Sequence, residues 1–221
     1  MGRALRVTPG DTVYHVLNRA NGRQALFDAE GDYAAFARVL AEAQQRVPMR
    51  LLAYCLMPQS LASRSVAVRR WRPVAVHGLA DVDAHPTLAC TSAHDGQRAS
   101  LSRRFKSFLV QTDAHLLTVC RYVERNALRT HLVERAEHWR RESGQGSTGL
   151  RVDDGPIARP AHWMEWVNAA ETEPELRAVR QSVVRSQPFG ETSWVEAMVD
   201  QLCLHTTQRP QGRPKMLKVG V

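Results

Sequence analysis

The segment from Asp11 to Asn18 is rich in β-branched and aromatic residues, with apolar Val13 and Leu17 on one parity, and predicts a strand. Asn21-Gly22 behind it favours positive φ and a tight reversal of the chain. Over 28–45 the apolar spacing changes to three and four. Tyr33, Phe36, Val39, Leu40 and Ala43 form one stripe, so a helix is expected. Met49 to Met57, preceded by Pro48, is short and apolar and reads as a buried strand. Arg104 to Gln111 alternates again, as a strand does, and Thr112 or Asp113 can cap a helix reaching to about Arg125. That helix has an apolar stripe of Leu116, Leu117, Cys120 and Val123. The opposite column is His115, Thr118, Tyr122, Asn126 and Arg129. Further helices are expected over 128–137, 174–186 and 193–205.

From Gln59 to Arg103 neither period persists. Ala, Arg and Ser dominate, and so little apolar surface cannot offset the entropy of ordering, so the segment is expected to be poorly packed. The order strand, helix, strand, unreadable stretch, strand, helix predicts an α+β fold. It is most of a ferredoxin-like βαββαβ sheet, with its central strand and one helix disrupted. The expected organisation is an α+β domain over 1–140, a glycine-rich linker over 141–160, and C-terminal helices with a basic tail over 161–221.

Composition narrows the function classes. Hydrophobic residues at 43% and charged residues at 24% exclude collagen-like, acidic-tail and wholly disordered chains. No run approaches the roughly 20 apolar residues of a membrane span, and the first residues lack the features of a secretory signal, so a cytosolic protein is expected. Thirty Lys and Arg against 22 Asp and Glu leave a charge of +8, which attracts polyanions. Most of the cations are Arg, suited to planar contacts with phosphate and base edges. Cys55, Cys90, Cys120 and Cys203 are too scattered for a zinc site and are expected to be small buried apolar residues.

Tyr122 and Asn126 stand four residues apart, side by side on a helix. A tyrosine on such a polar column can attack a phosphodiester when a metal polarises the phosphate. The plainer reading is a half-buried ring whose hydroxyl is a polar handle.

The stretch Cys120-Arg121-Tyr122-Val123-Glu124-Arg125-Asn126-Ala127-Leu128-Arg129 resembles the tyrosine helix of single-tyrosine HUH transposases, most of all the REP-associated branch related to the insertion-sequence-200 type. Thr12 to Arg23, Leu52 to Pro58, Arg104 to Gln111 and the basic end Leu202 to Lys215 are similar to that branch in the same order. The resemblance covers most of the chain outside 59–103. It implies cleavage and rejoining of single-stranded DNA through a 5′-phosphotyrosine, with Tyr122 as nucleophile. It also implies a divalent metal, Mg or Mn, with Asn126 assisting a pair of histidines, and DNA partners that are single strands or palindromic hairpins.

The histidine pair is missing. Where the family continues Asn-His-x-His after Leu-Met-Pro, this chain reads Gln59-Ser60-Leu61-Ala62. Codons for Gln59 to Ala67 can be written CAA TCA CTG GCA TCT CGT TCT GTG GCC, and read one base later they give Asn-His-Trp-His-Leu-Val-Leu-Trp-Pro. A reading-frame slip after Pro58, restored near Arg103, accounts for the loss and predicts impaired metal-dependent cleavage. His77, His85 and His94 lie scattered in that stretch and read as surface histidines.

Three functions follow as expectations. One is a strand-transferring enzyme by descent. Another is a non-cutting remnant that grips DNA hairpins through Arg19, Arg23, Arg104, Lys106, Arg209, Arg213 and Lys215, with Asn18 and Asn21 beside them. The last is a basic α+β protein with no DNA role.

Overall fold

The structure is a computed structural model that describes residues 9–18, 27, 29–46, 49–57, 64–70, 106–139 and 150–209. Strand β1 is Val13–Asn18, helix α1 Glu30–Arg46, strand β2 Met49–Cys55 and strand β4 Lys106–Val110, each within two residues of its predicted bounds. Between them Arg64–Arg70 forms β3. The four make an antiparallel sheet in the order β2-β3-β1-β4, so the fold is α+β.

Strand β3 corrects the expectation of a lost central strand. It pairs with β1 from Val13↔Arg69 to Asn18↔Arg64 and with β2 from Met49↔Arg70 to Cys55↔Ser65. Its stabilisation comes from the two neighbouring ladders, whose backbone N–H and C=O groups need partners whatever the side chains are. Val66 and Val68 supply a short β-branched alternation that the surrounding Ala, Arg and Ser obscure. The helix expected to be disrupted, within 71–105, lies outside the described residues, as do the turn at 19–23 and the tail beyond 209.

Helix α2 covers Ala114–Glu124, and the Asp113 carboxylate caps it by accepting the His115 backbone N–H at 2.8 Å. A four-residue helix α3, Asn126–Arg129, follows. The expected helix over 128–137 does not form; a single 3-10 turn covers Ala136–His138. Helix α3 ends at Arg129, two residues before His131, whose φ of 59° is left-handed. There Leu132 N–H reaches back to the Ala127 carbonyl and His131 N–H to that of Leu128, a Schellman closure without glycine. The same device stops α6, Thr192–Gln201, short of its expected end: Cys203 sits at φ 53°, with Leu204 N–H on Val199 O. Cys203 is therefore exposed, against expectation, whereas Cys55 and Cys120 are buried; Cys90 lies outside the described residues. Helix α5, Glu173–Arg185, opens with a Thr172/Glu175 capping box and Pro174. Helix α4, Trp163–Asn168, has no counterpart in the sequence reading.

Val13, His15 and Leu17 share one face of β1, Tyr14 and Val16 the other, and all five are buried, so the sheet is covered on both sides. Residues beyond 150 also close its outer strands. Val152 bridges Leu51 on β2, with Asp153 N–H on Leu51 O at 2.7 Å. Phe189 bridges Val110 on β4, exchanging bonds with Leu109 and Gln111 at 2.8 and 2.9 Å. The described part of the expected linker, 150–160, is thus packed: Asp153 pairs with the Arg50 guanidinium, and Gly155, at φ 84°, brings the backbone close to Leu52. No helix among the described residues is long and apolar enough to cross a membrane.

Candidate functional site

Helix α2 is fixed to the sheet by Leu116, Val119, Cys120 and Val123, all buried. That anchoring leaves Tyr122 half-buried at the rim of the helix, packed against the core. Beneath it lies His15 of β1, its ring 6.2 Å from that of Tyr122 in an edge-on arrangement and stacked at 4.8 Å on Phe108. His15 and Phe108 meet because they are register partners across the β1–β4 ladder. Asn126, the first residue of α3, is buried one turn beyond Tyr122.

Arg129 joins these groups. Its guanidinium lies 3.9 Å over the centre of the Tyr122 ring. One Nη donates to the Asn126 carbonyl oxygen at 2.8 Å and to the Tyr122 backbone carbonyl at 3.2 Å. The other donates to the Glu171 carboxylate at 2.9 Å. Arg129 was legible as a member of the Tyr122 column, but its partner Glu171 lies 42 residues away. Arg121 and Arg125 continue the row along α2. Arg121 donates to the carbonyls of Trp166, Ala169 and Ala170, and Arg125 to those of Val167 and Asn168, satisfying the open end of α4. This arginine row binds protein.

On the other side of α2, Glu124 is 2% exposed and accepts from Arg159 and from the Trp163 indole, both at 2.7 Å. Burial raises its pKa, and the Arg159 charge opposes the rise. Burial raises the nearby Cys120 thiol to about 12, so it stays protonated.

Three buried side-chain atoms lack a partner among the described residues: both nitrogens of His15 and the Asn126 amide nitrogen. All belong to side chains around Tyr122. Burial, with the Arg129 charge adding to it, depresses the His15 pKa to about 3, so the imidazole is neutral. A neutral imidazole can ligate a metal. The Asn126 side-chain oxygen, however, already accepts from Arg129, whose positive charge stands where a cation would have to approach it. Among the described residues no group of three His, Cys, Asp or Glu comes together either. Among the described residues, the side chains around Tyr122 do not make up a donor set for a divalent metal.

The other predicted positions gather less closely. Asn18 pairs with Arg64 in the ladder, and Lys106 with Leu17, so they mark one end of the sheet. Lys106 is exposed, its ammonium on the Val184 carbonyl at 3.3 Å, and Arg209 is exposed at the end of the described chain. Arg19, Asn21, Arg23, Arg104, Arg213 and Lys215 lie outside the described residues, as do His77, His85 and His94.

No protein-family model matches the sequence, and no curated protein matches it significantly. Among solved structures, the fold is similar to that of a REP-associated tyrosine transposase bound to a REP hairpin. The likeness has a TM-score of 0.53 at 9% identity, over 71% of this chain and 95% of that one. At that identity it is a likeness of fold.

Proposed function

We propose that this chain is a DNA-hairpin-binding protein of tyrosine-transposase type, built on a ferredoxin-like sheet, with Tyr122 as the nucleophile of a strand-transfer reaction. The observation that carries this reading is the setting of Tyr122. A rim tyrosine is clamped by an arginine, beside a buried imidazole and amide, on the helix that follows β4 of an antiparallel sheet. The likeness of fold to a transposase bound to a REP hairpin supports it, as does the charge of +8.

In the reaction the Tyr122 phenolic oxygen forms a bond to phosphorus while the bond from phosphorus to the 3′-oxygen breaks. The phenol loses a proton and the departing oxygen gains one. The covalent link conserves the phosphodiester for rejoining to another 3′-hydroxyl.

Arg129's hold on the Asn126 carbonyl favours a second reading, in which the chain binds hairpins without cutting them. One experiment separates the two. The protein is mixed with a labelled single-stranded oligonucleotide carrying a palindromic hairpin, with Mg²⁺ or Mn²⁺, at two salt concentrations. Strand transfer gives a denaturation-resistant adduct that Tyr122→Phe abolishes. Binding alone gives a gel shift that weakens steeply with salt and no adduct. Neither result would leave a basic protein without a DNA role and sink both readings.

A further inference from the structure

We infer that Arg129 is the positioning residue for Tyr122, and that it makes the setting of that tyrosine depend on the segment joining α4 to α5. The inference deepens the proposed function and rests on it only for its consequence in DNA cleavage.

Three contacts converge on the site side of one guanidinium: the Tyr122 ring face, the Tyr122 backbone carbonyl and the Asn126 carbonyl oxygen. The planar fork of arginine can serve all three, whereas a lysine ammonium, a compact point charge, cannot. With its side chain only 14% exposed, Arg129 is held in low dielectric, where losing a partner costs more than at the surface. Its far side meets Glu171, itself 6% exposed and paired also with Arg125 at 3.6 Å. Glu171 is thus the counter-charge that fixes where Arg129 lies, and its carboxylate is engaged by Arg129 and Arg125 rather than by Tyr122 or Asn126. The segment carrying it is held independently, by Arg121 and Arg125 on the carbonyls of 166–170 and by the capping box at Thr172. Movement of Glu171 relative to α2 would reach the Tyr122 ring through the Arg129 guanidinium.

An arginine that merely caps the end of α2 would predict something different. It would leave the ring indifferent to Glu171, because the backbone bond to the Tyr122 carbonyl alone would suffice.

The test uses the full chain labelled with 3-fluorotyrosine at its four tyrosines, Tyr14, Tyr33, Tyr54 and Tyr122, with the Tyr122 line assigned from Tyr122→Phe. Fluorine spectra are compared for the wild type, Arg129→Lys and Glu171→Gln. We expect the Tyr122 line to move toward the free fluorotyrosine position in both variants while the other three stay in place. A Tyr122 line unmoved in Glu171→Gln would overturn the inference, including when Arg129→Lys fails to fold and shifts all four lines. In parallel, adduct formation on the hairpin oligonucleotide should fall by roughly ten- to a hundredfold in both variants, as expected for a misplaced reacting group. A displaced line with an undiminished adduct rate would also overturn it. Absence of adduct in the wild type would remove the strand-transfer reading instead, and the fluorine result would still decide the role of Arg129.

Discussion

At the scale of single residues, His15 has the most direct consequence for stability. Its imidazole is fully enclosed between Phe108 and Tyr122, with neither nitrogen bonded among the described residues, and an orphaned buried polar group costs about 1–3 kcal/mol. It takes up a proton at about pH 3 in the fold and near 6.5 when unfolded, so the unfolded chain binds more protons between those values. Its contribution is therefore complete above pH 6.5 and is lost as pH falls, by about 1.4 kcal/mol per pH unit. Between pH 7 and 5 the wild type should lose about 2 kcal/mol of stability on this account. His15→Phe should match or exceed wild-type stability at pH 7 and show a flatter loss, by urea titration at both pH values. An equal loss in the two proteins would disprove the assignment. The Tyr122–Asn126 pair was readable from the four-residue helical period. His15 was not, because parity along a strand says which face a side chain takes and nothing of what covers it.

At the scale of elements, α2 is held from two sides by segments far along the chain. Arg159 ties Glu124 to the Leu52 carbonyl of β2, at 2.7 and 2.9 Å, and Trp163 at the start of α4 closes the same carboxylate. Arg159→Leu would strand a buried carboxylate whose pKa burial already raises. Breaking one side of such a pair costs about 3–5 kcal/mol. The denaturant midpoint should drop accordingly, and adding Glu124→Gln should recover part of the loss; no recovery would show that Glu124 is not the strained partner. The sequence announced α1, β1, β2 and β4 because each carries its own hydrophobic period. It was silent on α4, whose six residues give less than two turns of pattern, and misleading on β3, whose pairing comes from its neighbours' backbones. The Glu124 cluster could not be read either, since its members are 35 and 39 residues apart in sequence.

At the scale of the whole molecule, the residues beyond 150 bind the sheet at both outer strands and the tyrosine helix along two faces. On these contacts the described parts of the chain are expected to unfold together. Urea unfolding followed by fluorescence of the five tryptophans, four of which (Trp139, Trp163, Trp166 and Trp194) lie among the described residues, should coincide with unfolding followed by far-ultraviolet dichroism. Two separated transitions would show that the parts unfold independently.

The flanking of the sheet by Val152 and Phe189 has a further meaning for any shortened form of this protein. A product ending near residue 140 would retain Tyr122, Asn126 and Arg129 but lose the partners of the Leu51 carbonyl on β2 and of the Leu109 carbonyl and Gln111 N–H at β4. Such unpaired edge groups recruit strands from other molecules. The truncated product should aggregate, so the surroundings of Tyr122 cannot be studied by trimming the chain around it.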